Sequence, residues 1–141
     1  MVFHRHRVRV RFTETECTGV VNFIHYGRWM DEALLDGLTE RGLTYDKFGN
    51  LYLNGKMLDG MFMLGEYKVR MEKPSKLLDY IDVEIKIDEM REKVVVFGAL
   101  FKDASTGEVL ARGSLTYIYV DVKAWKSSPI PQELKELLSK T

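Results

Sequence analysis

Cysteine occurs once in these 141 residues, so the chain cannot close an internal disulfide. A reducing compartment, the cytoplasm, is the expectation that follows. A surplus of either charge is also missing: 21 Lys and Arg face 21 Asp and Glu, for a formal net charge of +0. Dedicated nucleic-acid binders carry a basic surplus, so no nucleic-acid partner is expected. No apolar run approaches the roughly 18 residues of a membrane span, and no membrane partner is expected. The opening MVFHRHRVRV lacks the apolar stretch of a secretory signal. Repeats, low-complexity tracts and linkers are absent. What the chain does have is length enough to bury roughly two-thirds of its unfolded surface. A single domain over residues 1–141 is expected.

Arginine and apolar residues alternate along Arg7-Val8-Arg9-Val10-Arg11-Phe12, which predicts a strand with one wet and one buried face. Tyr26, Trp29, Met30, Ala33, Leu34, Gly37 and Leu38 recur at three- and four-residue steps, with Arg28, Asp31, Glu32, Asp36, Thr39 and Glu40 opposite. That stripe predicts a helix over about 23–41, stopped by Gly42. A short helical turn is expected at Thr44 to Phe48, closed by Gly49. After Gly60 the period falls to two. Met61, Met63, Tyr67, Val69 and Met71 share one face; Ile81, Val83, Ile85 and Ile87 share another. Val94 to Phe101 reads as a central strand and Val109 to Val122 as a long aromatic, β-branched one. Pro74 separates the second and third strands, Gly107 marks a tight turn, and Pro131 opens a helix running to Leu138. The order is strand, long helix, four strands, short helix. It predicts an α+β fold, one helix packed on an antiparallel sheet of about five strands. One helix stripe can cover one sheet face only, so the apolar strand surface left over predicts self-association.

The stretch ETECTGVVNFIHYGRWMDEALL, Glu14 to Leu35, concentrates the chemistry. Asn22 is a good N-cap by type. Capping would occupy the amide of Ile24 or His25 and leave the Phe23 N–H free. Leading helix amides carry the positive end of the helix dipole and can stabilise an oxyanion. Glu16, a loop carboxylate, could serve as general base or nucleophile, with Gly19 allowing the turn between it and the helix. Glu14, Asp31 and Glu32 are further carboxylates; by alternation Glu14 shares a side with Glu16 if the first strand runs that far. The plainer reading makes Glu16 a solvated loop acid, because Gly19 and Asn22 occur in any strand-to-helix turn. Cys17 reads as a small hydrophobe, with no histidine placed to activate it. His4 and His6 share a strand face. A metal there would need third and fourth ligands, so the expectation is an exposed terminal strand and no metal. Arg5, Arg7, Arg9 and Arg11 make a basic face that discourages edge aggregation.

The whole arrangement resembles the hot-dog fold, and more closely the 4-hydroxybenzoyl-CoA thioesterase family of acyl-CoA thioesterases. Val8 to Phe12 is similar to that family's first strand. Glu14 to Val21 is similar to its E-T-D-x-x-G-V-V loop, and His25 to Ala33 to its N-Y-x-R-W-x-x-x-A helix start. Lys73 to Asp79 and Pro129 to Leu134 echo its later segments. Two positions depart: Glu16 stands where the family has aspartate, and His25 where it has asparagine. The resemblance implies an acyl-CoA thioesterase with Glu16 and the Phe23 amide as catalytic groups. It also implies Gly19, Val20, Asn22, His25, Tyr26 and Asp31 near the acyl-CoA substrate. No metal or bound cofactor is implied, and a homo-oligomer, dimer or tetramer, is. The basic strand face could then meet CoA phosphates. The aspartate-to-glutamate departure motivates an alternative, a non-catalytic hot-dog module that binds acyl thioesters or serves in assembly. A hot-dog dehydratase fits less well, for its His/Glu helix pattern is missing.

Overall fold

The alternating opening folds as β1 (His4–Arg9), one edge of the main sheet, in a computed structural model that describes residues 2–16 and 19–140. Val8 turns inward while Arg5 and Arg7 turn outward and sit opposite Glu84 and Asp82, at 3.0 and 2.8 Å. Opposite charges directly across a strand pair support its register. The histidines on the inner face are partly covered by the helix, not exposed as expected. The strand also ends earlier than the alternation predicts. Arg11 leads into a 3-10 turn, Phe12–Glu14, and Phe12 is 78% exposed. The cause is Glu14, whose carboxylate takes the Arg11 N–H at 2.8 Å and bends the backbone inward.

The helix α1 (Ile24–Glu40) buries Tyr26, Trp29, Met30, Ala33, Leu34, Gly37 and Leu38, the stripe that the spacing predicts. Gly42, at φ +89°, stops it in a conformation that glycine adopts without a Cβ penalty. Tyr26 packs edge-on against Phe101 and Trp29, with ring centroids 5.1 and 5.4 Å apart.

The main sheet runs in the order β1, β6 (Tyr80–Met90), β7 (Val94–Asp103), β8 (Val109–Asp121) and β5 (Gly60–Met71), all neighbours antiparallel. The nearly all-apolar β7 takes the centre, as its composition predicts. A short β9 (Lys126–Ser127) adds to β8. Three small strands form a separate sheet: β2 (Leu43–Tyr45), β3 (Leu51–Leu53) and β4 (Lys56–Met57). The helical turn expected at Thr44 to Phe48 is therefore part strand and part turn. The Asp46 carboxylate accepts the N–H of Phe48 and of Asn50, at 2.8 and 2.9 Å, which bends the chain without a helix.

The face expected for Met61, Met63, Tyr67, Val69 and Met71 splits. A bulge between Leu64 and Glu66 shifts the register, so Met63, opposite Ile118, and Tyr67, opposite Leu115, fall on different faces of the sheet. At the far end α2 (Gln132–Ser139) follows Pro131 and buries Leu134 and Leu138. Among the described residues, no helix is long and apolar enough to cross a membrane.

Candidate active site

The segment from Glu14 to Asn22 folds back on itself. Thr15 bridges Val21, the Glu16 N–H donates to the Val20 carbonyl at 2.8 Å, and the Gly19 N–H returns to the Glu16 carbonyl at 2.9 Å. Gly19 has φ +79°, the left-handed region where glycine fits best. Val20 in turn bridges Lys76, which ties the loop to the approach to β6. Cys17 lies outside the described residues.

The two loop carboxylates part company here. Glu14 is buried, and its oxygens accept from Arg11 N–H at 2.8 Å, from Trp29 Nε1–H at 3.0 Å and from the Arg28 guanidinium. Three donors commit it to holding the loop on α1. Glu16 is exposed. The two do not share a side, because the extended strand has already given way to the 3-10 turn. Of the helix acids, Glu32 pairs with Arg28 at 3.0 Å and Asp31 accepts from the Tyr117 hydroxyl at 2.5 Å.

Asn22 caps the helix as its type predicts, its side chain accepting the Ile24 N–H at 3.1 Å. His25 N–H and Tyr26 N–H bond back to the carbonyls of Asn22 and Phe23, at 3.2 and 3.3 Å. Among the described residues, no backbone acceptor takes the Phe23 N–H. His25 is half-buried, with its ring centroid 6.5 Å from that of Trp29. Tyr26 is fully buried and shares a 2.9 Å hydrogen bond with Ser75. Burial pushes the Tyr26 hydroxyl above its ordinary pKa.

Two hollows flank α1. A cavity of about 280 Å³ is lined by Leu34, Leu38, Met61, Phe62 and Phe97. An open groove of about 400 Å³ runs past Ile24, Gly27, Leu64 and Tyr67. Asp31 and Tyr117 line both, so their hydrogen bond stands in the shared wall. Burial, and then the Asp31 carboxylate, raises the Tyr117 pKa well beyond the usual tyrosine range. A third hollow, about 290 Å³, lies between the loop and Pro74, against Val20, Val21 and Tyr26.

Tyr117, Leu64 and Tyr67 were not singled out as site residues by sequence reasoning. An aromatic-rich strand was legible, but nothing local says that Tyr117 meets a helix residue 86 positions away. The basic face of β1 is largely paired within the fold, Arg5 and Arg7 to β6 acids and Arg9 over the Tyr80 ring at 5.2 Å.

The family model of the Thioesterase-like superfamily matches residues 10–138. The chain belongs to that superfamily, and the class that this membership and the fold define is a thioester hydrolase. A 1,4-dihydroxy-2-naphthoyl-CoA hydrolase of Prochlorococcus marinus (strain NATL1A) is 26% identical over 113 residues, 79% of this chain and 74% of that one. Among solved structures, a 1,4-dihydroxy-2-naphthoyl-CoA thioesterase from Synechocystis superposes with a TM-score of 0.82 at 17% identity, over 96% of this chain and 94% of that one. A gentisyl-coenzyme A thioesterase gives 0.76 at 23% identity, over 96% and 99%. Both share the hot-dog fold with this chain.

Proposed function

We propose that the protein is an acyl-CoA thioesterase of the 4-hydroxybenzoyl-CoA thioesterase type, acting on an acyl or aromatic-acyl CoA. The observation that carries this reading is the start of α1. The Phe23 N–H is left without a backbone acceptor among the described residues, next to a loop whose outer carboxylate is exposed. The thioester carbonyl oxygen would take the Phe23 N–H, which stabilises the negative charge that develops on it. Glu16 would either draw a proton from the attacking water or attack the carbonyl carbon itself. Collapse of the tetrahedral centre then breaks the C–S bond and releases CoA as the thiolate. In the general-base route the thiolate takes up the proton that Glu16 drew from water, and the free acid is left. In the nucleophilic route it is protonated from solvent and leaves an acyl–Glu16 anhydride, which water hydrolyses to the acid and the free carboxylate. Gly19, Val20 and Asn22 shape the loop around the carbonyl, Asp31 lines the acyl side, and His25 and Tyr26 support the helix start, Tyr26 from beneath the hollow that Val20 and Pro74 share. The cavity under α1 offers an apolar seat for the acyl group, with the Tyr117–Asp31 pair as its polar wall. That the named relatives act on aromatic CoA esters supports an aromatic acyl group.

The second reading, a non-catalytic acyl-thioester-binding module, draws on the same exposure of Glu16. A side chain one methylene longer than aspartate, with no side-chain partner among the described residues, is weakly positioned, and about 1 Å of misplacement costs on the order of a hundredfold in rate. Hydrolysis of a panel of short, long and aromatic acyl-CoAs separates the two. The thioesterase reading expects turnover that falls by about a hundredfold or more in Glu16→Gln, the usual contribution of a general base. Unchanged turnover in that variant eliminates Glu16. Tight binding by calorimetry without any turnover favours the binding module.

A further inference from the structure

We propose that β1 and α1 together form a surface site for a divalent transition metal, with His4, His6 and Asp36 as its protein ligands. The site lies away from the thioester chemistry. Asp36 is 13 residues along α1 from Phe23, roughly 20 Å at the rise of a helix.

The three side chains come from two elements that the fold brings face to face. His4 and His6 occupy alternate positions of β1, so both rings leave the same side of the strand. Asp36 projects from the exposed side of α1 toward them. His4 Nε2 lies 2.6 Å from Asp36 Oδ2, and His6 Nδ1 lies 3.5 Å from the same oxygen. All three ligand atoms fall within 4.8 Å of one another. In a tetrahedral zinc site, with bonds of about 2.0–2.1 Å, neighbouring ligand atoms stand about 3.3 Å apart. Small rotations of the two partly covered histidines and the exposed Asp36 reach that spacing. The site is empty.

Two further features make this a built arrangement and not a chance meeting. Glu40 places a carboxylate oxygen 3.4 Å from His4 Nδ1, on the ring nitrogen that faces away from Asp36. Drawn in to hydrogen-bond length, that carboxylate would hold the proton on Nδ1 and leave Nε2 for a metal, the usual outer support of such ligands. Gly37 supplies the room. A Cβ at that position would lie 2.8 Å from the Cβ of His4, so only glycine lets the strand come this close.

Two imidazoles and one carboxylate suit zinc, nickel or cobalt(II), with water completing the shell. The metal would take the place of the proton now shared by His4 and Asp36. It would pin an edge strand to the back half of α1, a structural clamp. The third ligand was the missing element in the sequence. It comes from 32 residues away and only the fold supplies it.

The test uses full-length, tag-free protein freed of metal with a chelator, then titrated with cobalt(II) and, by calorimetry, with zinc(II). One metal per chain and a visible cobalt d–d spectrum are expected. His6→Ala and Asp36→Asn should each weaken binding at least tenfold, and His25→Ala should leave it unchanged. Circular dichroism without metal shows that each variant is folded; these ligands are partly exposed, so the fold should survive. As a second readout, zinc should raise the thermal midpoint of the wild type and of His25→Ala, and not that of the two ligand variants. No saturable binding, or equal affinity in wild type, His6→Ala and Asp36→Asn, overturns the proposal.

Discussion

Removing the Glu14 carboxylate would strand three donors at once: the Arg11 amide, the Trp29 indole and the Arg28 guanidinium. Arg28 can swing to water, but the indole is buried and cannot. Glu14→Ala should therefore cost about 2–3 kcal/mol, read as a lower urea midpoint at unchanged slope. Glu14→Gln keeps an acceptor and should cost less. At Gly37 an added methyl would meet His4, so Gly37→Ala should cost about 1–3 kcal/mol, the usual range for forced overpacking. The stretch around Glu16, Gly19, Asn22 and Phe23 was legible in the sequence, because capping and turn chemistry act within a few residues. The burial of Glu14 was not. It depends on Arg28 and Trp29 arriving from the next element, and on a 3-10 turn that replaces the last residues of an apparently regular alternation.

Elements with one strong period were the easiest to read. The stripe of α1 and the buried face of Ile81, Val83 and Ile85 on β6 needed no other information. Short elements escaped: β2, β3, β4 and β9 have two or three residues each, too few for a period to show. The bulge in β5 escaped for the same reason, since one extra residue reverses every side chain beyond it. Packing of α2 gives a direct check. Leu134 is fully buried, so Leu134→Ala should lower stability by about 2–4 kcal/mol in thermal or chemical unfolding. The hairpin joining β7 and β8 gives a pH check. Asp103 accepts from the Ser105 hydroxyl and N–H and from the Thr106 N–H, and these bonds hold its carboxyl below the ordinary aspartate value. A lowered pKa means stability that is present above the unfolded value of about 3.9 and is lost as pH falls through the folded one. In an NMR titration, Asp103 should protonate below pH 3.9 or so, with the Ser105 and Thr106 amides shifting together. Asp103→Ala should abolish that shared transition.

At the scale of the molecule, β5 is the exposed edge. Over its 12 residues it pairs with β8 alone among the described residues, and it leaves Leu64, Tyr67 and Met71 in solvent. A long edge with unpaired N–H and C=O groups is a template for another strand. A second copy seated there would also wall the groove beside α1, which Leu64 and Tyr67 line. Light scattering should accordingly give a dimer or larger species at micromolar concentration, and Leu64→Lys with Tyr67→Lys should shift it toward monomer and reduce turnover together. A monomeric wild type with full activity would overturn this shared-groove arrangement.

The order of strands in the sheet sets an order of events in time. β6, β7 and β8 are joined by short hairpins and can zip together locally. β1 has no partner until β6 exists, for His4 pairs with Ile85 and Arg9 with Tyr80. Made before its partner, β1 is thus among the last strands of the sheet to be secured. Closing so long a loop is the slow part of such a topology. Pulsed hydrogen exchange during refolding should protect the amides of residues 94–103 before those of residues 4–9.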